Sequence, residues 1–245
     1  MPSATPSPHP GARPLDGRRV LITGVSRGIG LECARLFLQS GARIIGAARD
    51  AARLATAAQR LAPLGEFHPV GIDLARPGCA ADAVAAVDRH FAGALDVLVN
   101  NAGVMVADES IAGEPAGSLE QTLQVNVVAV HNLTRALLPA LLRGREPRII
   151  NTSSGAGNFA SVAQTDIGSY RVSKFALNGL TLSWAAALRG RVAVNAFDPG
   201  WVRTDMGGPR APGAPTDSAR GALALATLPA ETTGRFWKDG REIPW

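Results

Sequence analysis

Cysteine, histidine and tyrosine are scarce in this chain of 245 residues. Its two cysteines, Cys33 and Cys79, lie in separate predicted helices that are far apart in sequence, so they do not suggest a disulfide framework. The four histidines form no cluster with the spacing of metal ligands. We therefore predict neither a structural disulfide nor a metal site.

Aromatic residues make up only 5% of the chain, and its basic residues are not gathered into one run. The formal net charge is +5 and the pI about 10.2, but the arginines are scattered through predicted helices and loops. A nucleic-acid-binding surface would combine a basic stripe with exposed aromatic side chains. The composition therefore indicates a solvated basic surface and no nucleic-acid partner.

Long apolar segments are also missing, since no run approaches the roughly 18 residues of a membrane span. The first 15 residues contain five prolines and lack the apolar segment of a secretion signal. We expect no membrane association and a cytoplasmic location. Hydrophobic residues nevertheless amount to 46% of the chain, enough for a large core. We predict a disordered lead-in at residues 1–15 and a single domain at 16–245.

Glycines are clustered between the first predicted strand and the first predicted helix. The strand, Arg19–Ile22, runs into the sequence TGVSRGIG at residues 23–30, and a helix follows over Leu31–Ser40. Glycines let the backbone approach a pyrophosphate, and the N–H groups of the following helix stabilise its negative charge. The spacing differs from the G-x-G-x-x-G fingerprint, and a glycine cluster alone can be a tight turn. The flanking strand and helix favour a nucleotide-binding loop.

Strand-like apolar segments alternate with helical ones along the rest of the chain. The predicted strands lie at Arg19–Ile22, Arg43–Ala47, Glu66–Ile72, Leu95–Val99, Arg148–Thr152 and Val192–Phe197, with an edge strand near the carboxyl end. This alternation predicts an α/β fold, a doubly wound parallel sheet of about seven strands with helices on both faces. In such a sheet the ligand crevice lies at the carboxyl ends of the strands.

The end of the second predicted strand indicates which nicotinamide cofactor is bound. A carboxylate there would accept a hydrogen bond from the ribose 2′-hydroxyl of NAD, whereas an arginine can pair with the 2′-phosphate of NADP. The chain has Ala48 and Arg49 at this point, and Arg27 in the glycine loop can supply a second positive charge. We predict that NADP(H) is favoured over NAD(H), although Asp50 could pair with Arg49 and reduce its charge.

Tyr170 is the only tyrosine, and Lys174, one of only two lysines, follows it by four residues in a predicted helix. This spacing places both side chains on one helix face. A phenol has a reference pKa of about 10, and a nearby ammonium group favours its ionised form, so the pair suits proton transfer. Taken alone, such a pair is more often a surface pair without function.

Several short motifs occur together in an order that is typical of one enzyme family. They are the glycine loop at 23–30, Asp73, the sequence NNAG at 100–103, Asn126, Ser154, Tyr170 with Lys174, and PGWVRTDM at 199–206. With these motifs the chain, from Arg18 to Trp245, resembles a short-chain dehydrogenase/reductase of the compact, single-domain type. The closing segment 234–245 also resembles the ending of carbonyl-reductase-like and C-factor-like members, although it more plainly forms the edge strand.

The resemblance implies a catalytic set of Asn126, Ser154, Tyr170 and Lys174. Tyr170 would donate a proton to the substrate carbonyl, which Ser154 would orient by a hydrogen bond. Lys174 would hold the nicotinamide ribose and lower the pKa of the tyrosine, and Asn126 would place a water in the proton relay. Ser153 is the alternative to Ser154, because the interval to Tyr170 is longer than is usual in the family.

The resemblance also implies a set of cofactor-binding residues. Asp73 would contact the adenine, Asn101 the adenosine ribose and Thr204 the nicotinamide carboxamide. The full expected set is Gly24, Ser26, Arg27, Gly28, Ile29, Gly30, Arg49, Asp73, Leu74, Asn101, Ala102, Gly103, Tyr170, Lys174, Pro199, Gly200, Val202 and Thr204. The segment between Thr204 and Thr216 is short where larger relatives carry a helical lid, which suggests an open site.

We therefore expect an NADP(H)-dependent oxidoreductase that interconverts a small-molecule ketone or aldehyde and an alcohol. Two alternatives remain: an NADP-binding regulator without turnover, and a lyase or epimerase that uses the same tyrosine–lysine pair. The regulator would be expected to have lost Tyr170 or Lys174, and the short carboxyl-terminal region leaves little room for the nucleotide-sugar domain of the epimerase. Apolar stripes on the predicted helices at 119–143 and 170–188 suggest a homodimer or homotetramer.

Overall fold

A single eight-stranded sheet forms the centre of the computed structural model, which describes residues 13–245. The strands are β1 Arg19–Thr23, β2 Arg43–Ala48, β3 Phe67–Gly71, β4 Val97–Asn100, β5 Arg148–Thr152, β6 Ala193–Phe197, β7 Phe236–Lys238 and β8 Arg241–Ile243. Their order in the sheet is β3-β2-β1-β4-β5-β6-β7-β8, and all neighbours are parallel except β7 and β8. The predicted doubly wound α/β fold is confirmed.

Helices cover both faces of this sheet. Their bounds are α1 Gly28–Gln39, α2 Ala51–Leu61, α3 Cys79–Phe91, α4 Ser118–Leu123, α5 Ala129–Leu142, α6 Phe159–Val162, α7 Gly168–Ala187 and α8 Pro215–Thr227, with a π-helical turn at Gln124–Val128 between α4 and α5. Side chains of α3, α5 and α7 form one core cluster, and those of α1, α2 and α8 form a second. The sheet is thus buried on both faces, as its near-continuous apolar strands require.

The eighth strand arises because the carboxyl-terminal segment makes a hairpin, where the sequence suggested one edge strand. Asp239 and Gly240 connect β7 to β8, and both have positive φ angles, 49° and 74°. A two-residue Asp-Gly loop of this kind matches the right-handed twist of two antiparallel strands. The Asp-Gly pair between two strand-like segments is the sequence signal that would have indicated the extra strand.

The folded domain includes a residue that the sequence assigned to the lead-in. Residues 1–12 of the predicted lead-in lie outside the described residues. Leu15, which we placed in that lead-in, is only 1% exposed and packs in the core cluster that contains Phe37 and Leu38. Its backbone N–H donates to the carbonyl of Ser40 at 2.9 Å. Burial of this leucine therefore extends the folded region to before residue 16.

The helical stretch from Ser118 to Leu142 is, by length and composition alone, apolar enough to cross a membrane. Polar residues interrupt this stretch, so it contains no continuous apolar run of that length. Three of its leucines, Leu133, Leu137 and Leu141, are buried in the same core cluster as side chains of the central strands. Its apolar character is thus explained by packing on the sheet.

Candidate functional site

A cavity of about 980 Å³ opens where the carboxyl ends of the parallel strands meet. Every residue of the expected cofactor-binding set lines it, as do Ser154, Tyr170 and Lys174. Asn126 is the one expected site residue that does not. The volume is near the upper end of the roughly 300–1,000 Å³ typical of small-molecule sites, which suits a ligand as long as a dinucleotide.

The glycine loop has the backbone geometry of a pyrophosphate site. Gly24 has a φ of +76°, and a Cβ atom at Gly30 would lie only 2.2 Å from the carbonyl oxygen of Gly24. Helix α1 begins at Gly28, and no side chain caps its first turn. Its free N–H groups and positive dipole end therefore face the cavity and can stabilise a phosphate.

The other expected cofactor contacts lie on neighbouring strand ends. Asn101 follows β4, and its side-chain amide donates to the carbonyl of Thr23 at 2.9 Å, which joins the ends of β4 and β1. Asp73 follows β3, and its carboxylate accepts from the N–H of Ala75 at 3.0 Å. The segment after β6 reaches the glycine loop, since a Cβ atom at Gly28 would lie 3.0 Å from the methyl carbon of Thr204.

Arg49 is exposed at the end of β2, and its guanidinium makes no hydrogen bond or ion pair with any residue in the described range 13–245. Asp50, which we expected to be able to pair with it, caps α2 instead. The Asp50 carboxylate accepts from the N–H of Arg53 at 3.0 Å and pairs with the Arg53 guanidinium at 3.5 Å. The charge of Arg49 is therefore available to a ligand phosphate.

The guanidinium of Arg27 already has a partner within the protein, which the sequence did not indicate. Its guanidinium is hydrogen-bonded to the carboxylate of Asp205, which also lies 3.4 Å from the guanidinium of Arg53. Neither Asp205 nor Arg53 was predicted at this corner, because the three residues are brought together from distant parts of the chain. Asp205 thus partly neutralises two of the three arginines that line this end of the cavity.

Tyr170 and Lys174 lie on α7 and face the turn that follows β5. The ammonium group of Lys174 is buried, donates to the carbonyl of Thr152 at 2.8 Å and lies 5.5 Å from the centre of the Tyr170 ring. The hydroxyl of Ser154 lies close enough to the phenol of Tyr170 to lower its pKa and accepts from the N–H of Ala156 at 3.1 Å, whereas the hydroxyl of Ser153 donates to the amide oxygen of Asn178. The geometry therefore favours Ser154 over Ser153 as the serine that acts with Tyr170.

The protonation of this pair differs from our expectation. Burial raises the pKa of Tyr170 to about 12, and the negative charge of Asp198 adds to the rise, while the nearby hydroxyl of Ser154 opposes it. Burial also lowers the pKa of Lys174 to about 8. The expected decrease in the tyrosine pKa is therefore not found in the ligand-free protein, because burial removes water from around the phenolate and so disfavours the ionised form. At neutral pH the phenol carries its proton.

Asn126 lies behind the cavity, in the π-helical turn. Its amide oxygen accepts from the N–H of Val104 at 2.8 Å. Its amide nitrogen donates to the Val104 carbonyl at 2.8 Å and to the hydroxyl of Ser173 at 3.0 Å. Both donor hydrogens are thus in use, so the side chain holds the 101–104 segment against α7. Its expected role in a water relay stays a prediction.

Two charged residues that the sequence did not single out also line the cavity. Lys238, in β7, donates to the carboxylate of Asp198, after β6, at 2.9 Å. Asp198 directly precedes the PGWVRTDM motif, but its partner is 40 residues away. The sequence motifs therefore gave no indication that this ion pair lies in the same cavity as Tyr170.

Together these groups can bind a nicotinamide dinucleotide and move a proton. The close-packed glycines and uncapped helix end fit a pyrophosphate, and Arg49 fits a 2′-phosphate. At the other end of the cavity a protonated phenol, a serine hydroxyl and a buried ammonium group lie together. A phenol and a hydroxyl placed in this way can hold a carbonyl oxygen and protonate it as it becomes an alkoxide.

Comparisons with known proteins agree with this geometry. The model of the short chain dehydrogenase family matches residues 18–214. A 3-oxoacyl-(acyl-carrier-protein) reductase of Vibrio harveyi is 30% identical over 230 residues, which are 94% of this chain and 87% of the relative. The C-signal protein of Myxococcus xanthus is 39% identical over 158 residues, which are 62% of this chain and 94% of the relative.

Solved structures show the same likeness. The NADPH-bound carbonyl reductase from chicken fatty liver superposes with a TM-score of 0.86 at 29% identity, over 94% of this chain and 100% of that one. The RhlG/NADP active-site complex of Pseudomonas aeruginosa superposes with a TM-score of 0.82 at 33% identity, over 91% of this chain and 94% of that one. The fold, the motif order and these matches confirm the resemblance, and the chain belongs to the short-chain dehydrogenase family of oxidoreductases.

Proposed function

We propose that this protein is an NADP(H)-dependent oxidoreductase that interconverts a small-molecule ketone or aldehyde and an alcohol, with Tyr170 as the proton donor and acceptor. The observation that carries the proposal is the meeting of Ser154, Tyr170 and Lys174 in the cavity that also contains the glycine loop. A regulator without turnover would have no need for this set, and each member is present.

The chain's own residues would act on the substrate oxygen. The nicotinamide cofactor, when bound, supplies or accepts the hydride. Ser154 and Tyr170 would hold the carbonyl oxygen, and the phenol would give its proton to the developing alkoxide. Because the pKa of Tyr170 is raised to about 12, the phenol is protonated throughout the neutral range, as reduction requires. Lys174, with a pKa lowered to about 8, remains mostly charged at neutral pH and would stabilise the phenolate that is left.

The preference for NADP(H) is proposed from the end of β2. Ala48 leaves no carboxylate to bind a free 2′-hydroxyl, and the unengaged guanidinium of Arg49 suits a 2′-phosphate. The chicken carbonyl reductase was solved with NADPH bound and RhlG as an NADP complex, which supports the same assignment.

The substrate end of the cavity is partly apolar. Trp201 is 59% exposed, and its ring is held by a hydrogen bond from the indole nitrogen to the carbonyl of Gly207 at 2.8 Å. Met105 and Met206 line the same cavity. An aromatic platform with two adaptable thioether side chains suits a substrate with an apolar body.

NADPH oxidation, followed by absorbance across a panel of carbonyl compounds, tests the proposed function. The panel should contain ketones, aldehydes, quinones, hydroxysteroids and a 3-oxoacyl thioester, since one relative is a 3-oxoacyl reductase. We expect turnover with at least one member and no turnover without a carbonyl compound. Tight NADPH binding with no turnover on any member would contradict the proposal and favour the regulator.

We also propose that the protein is a homodimer or homotetramer located in the cytoplasm. Apolar side chains remain exposed on the outer faces of α5, α6 and α7, and Phe159 is 76% exposed with its ring 6.2 Å from that of Phe175. A second copy would cover this surface. Sedimentation at micromolar concentration should give at least the dimer mass, and Phe175→Asp should shift the protein toward monomer. A monomeric unmodified protein would contradict this prediction.

A further inference from the structure

The pairing of β6 with β7 places Asp198 and Lys238 beside each other, where they form an ion pair. Strands β6 and β7 are neighbours, with Phe197 opposite Trp237, so the next residue of each strand comes side by side. Asp198 is 6% exposed, whereas the side chain of Lys238 is 45% exposed. The carboxylate is therefore the buried partner and the ammonium group the more solvated one.

The carboxylate of Asp198 is held against the turn that carries Ser154. One carboxylate oxygen accepts from the N–H of Gly200 at 2.9 Å. The backbone N–H of Asp198 donates to the carbonyl of Trp237 at 2.8 Å. The other oxygen lies 2.9 Å from the position that a Cβ atom at Gly155 would occupy. Gly155 directly follows Ser154, so a fixed negative charge lies beside the turn that lines the cavity together with Tyr170.

A negative charge at this position opposes ionisation of the phenol. The pKa of Tyr170 is raised mainly by burial and further by Asp198. The ammonium group of Lys238, 2.9 Å from the Asp198 carboxylate, offsets part of that negative charge. The pKa of Lys238 is itself raised by the hydrogen bond to Asp198, so the lysine stays charged. The two residues thus act on Tyr170 in opposite directions.

The other charged groups near Tyr170 come from α7 and the loop before it. Lys174 lies on the same helix, one turn further on. Asp166, in the preceding loop, lines the cavity but is bound to the guanidinium of Arg171. Among the described residues, Asp198 and Lys238 are therefore the charges that β6 and β7 bring to the cavity.

We propose that Asp198 and Lys238 are positioning residues that set the protonation of Tyr170, a role that rests on the proposed function of Tyr170 as proton donor. Asp198 keeps the phenol in its protonated form, and Lys238 limits this effect so that the phenol can still release its proton. Together the two residues would keep the pKa of Tyr170 in a range in which the phenol can both give up its proton and take one back.

Because Tyr170 is the only tyrosine, the test can report on this phenol alone. Growth on 3-fluorotyrosine labels the single position, and the fluorine resonance follows its ionisation with pH, without cofactor or substrate. Circular dichroism at each pH checks that the protein is folded. Asp198→Asn is a mild change, since its amide oxygen can still accept from the N–H of Gly200.

We expect a definite order of titration midpoints. Asp198→Asn should lower the midpoint by on the order of one pH unit, because it removes the negative charge and leaves Lys238 positive. Lys238→Met should raise it, and the double variant should lie between Asp198→Asn and the unmodified protein. Lys238→Arg, which keeps the charge, and Asp239→Asn, which removes a neighbouring exposed carboxylate, should leave the midpoint unchanged.

Equal midpoints in all variants, or a lower midpoint in Lys238→Met, would overturn the inference. If Asp198→Asn does not fold, the half-exposed Lys238 still supplies the test, because Lys238→Met and Lys238→Arg must then differ. The result is separate from the proposed function. A protein that shows the predicted order but reduces no carbonyl compound contradicts the reductase assignment alone, and an active reductase with equal midpoints contradicts the ion-pair role alone.

Discussion

Tyr170→Phe is expected to lower turnover by roughly 10²–10⁴-fold, the range contributed by a positioned general acid, while NADPH binding stays nearly unchanged. The substitution removes only the phenol oxygen, which is the proposed proton donor. The ring remains to pack in the cavity beside Lys174. Turnover on the best substrate of the carbonyl panel, together with a fluorescence titration of NADPH, measures both effects.

The two adjacent serines supply the matched control for this experiment. Ser154→Ala should also reduce turnover, because the Ser154 hydroxyl lies beside the phenol and would help it to hold the carbonyl oxygen. Ser153→Ala should leave turnover less affected, since its hydroxyl is bound to Asn178. Near-native turnover in Tyr170→Phe would show that another group supplies the proton. That result would leave the assignment of the cofactor-binding residues unaffected.

Arg49→Ala is expected to lower the preference for NADPH over NADH by about ten- to a hundredfold. A hydrogen bond to a charged group contributes about 1.5–3 kcal/mol, which corresponds to that range. The guanidinium of Arg49 has no partner among the described residues, so its full charge is available to the 2′-phosphate. NADH affinity should hardly change, because NADH has no phosphate at this position. Titration with each cofactor at moderate ionic strength gives the two dissociation constants.

Two further substitutions sharpen this test. Arg60→Ala removes an exposed arginine from the far end of α2 and should leave the preference unchanged. Arg27→Ala should have a smaller effect than Arg49→Ala, because Asp205 already neutralises part of the charge of Arg27. Higher salt should weaken NADPH binding more than NADH binding, since these arginines are exposed. Equal affinity of the unmodified protein for both cofactors would show that the NADP assignment is wrong.

Local patterns in the sequence were enough to predict the alternation of strands and helices and the α/β fold. Apolar periodicity and glycine positions act over a few residues, so they can be read directly from the chain. The glycine loop at 23–30 and the Tyr170–Lys174 pair could also be recognised directly, because each lies within a few consecutive residues. Their meeting in one cavity follows from parallel strands whose carboxyl ends share one edge of the sheet.

Tertiary structure decided which charges act on each group. The sequence placed Asp50 next to Arg49, but helix capping directs its carboxylate to Arg53. It placed Lys174 next to Tyr170 and predicted a lowered tyrosine pKa, whereas burial raises that pKa to about 12.

The ion pair of Asp198 with Lys238 could not be predicted either, because it depends on the pairing of two strands 40 residues apart. A pKa depends on every charge and on the water removed around the group, and both come from strands and loops that are distant in sequence. The sequence by itself thus determined which chemical groups are present and on which elements they lie, while their protonation and their partners were decided by packing.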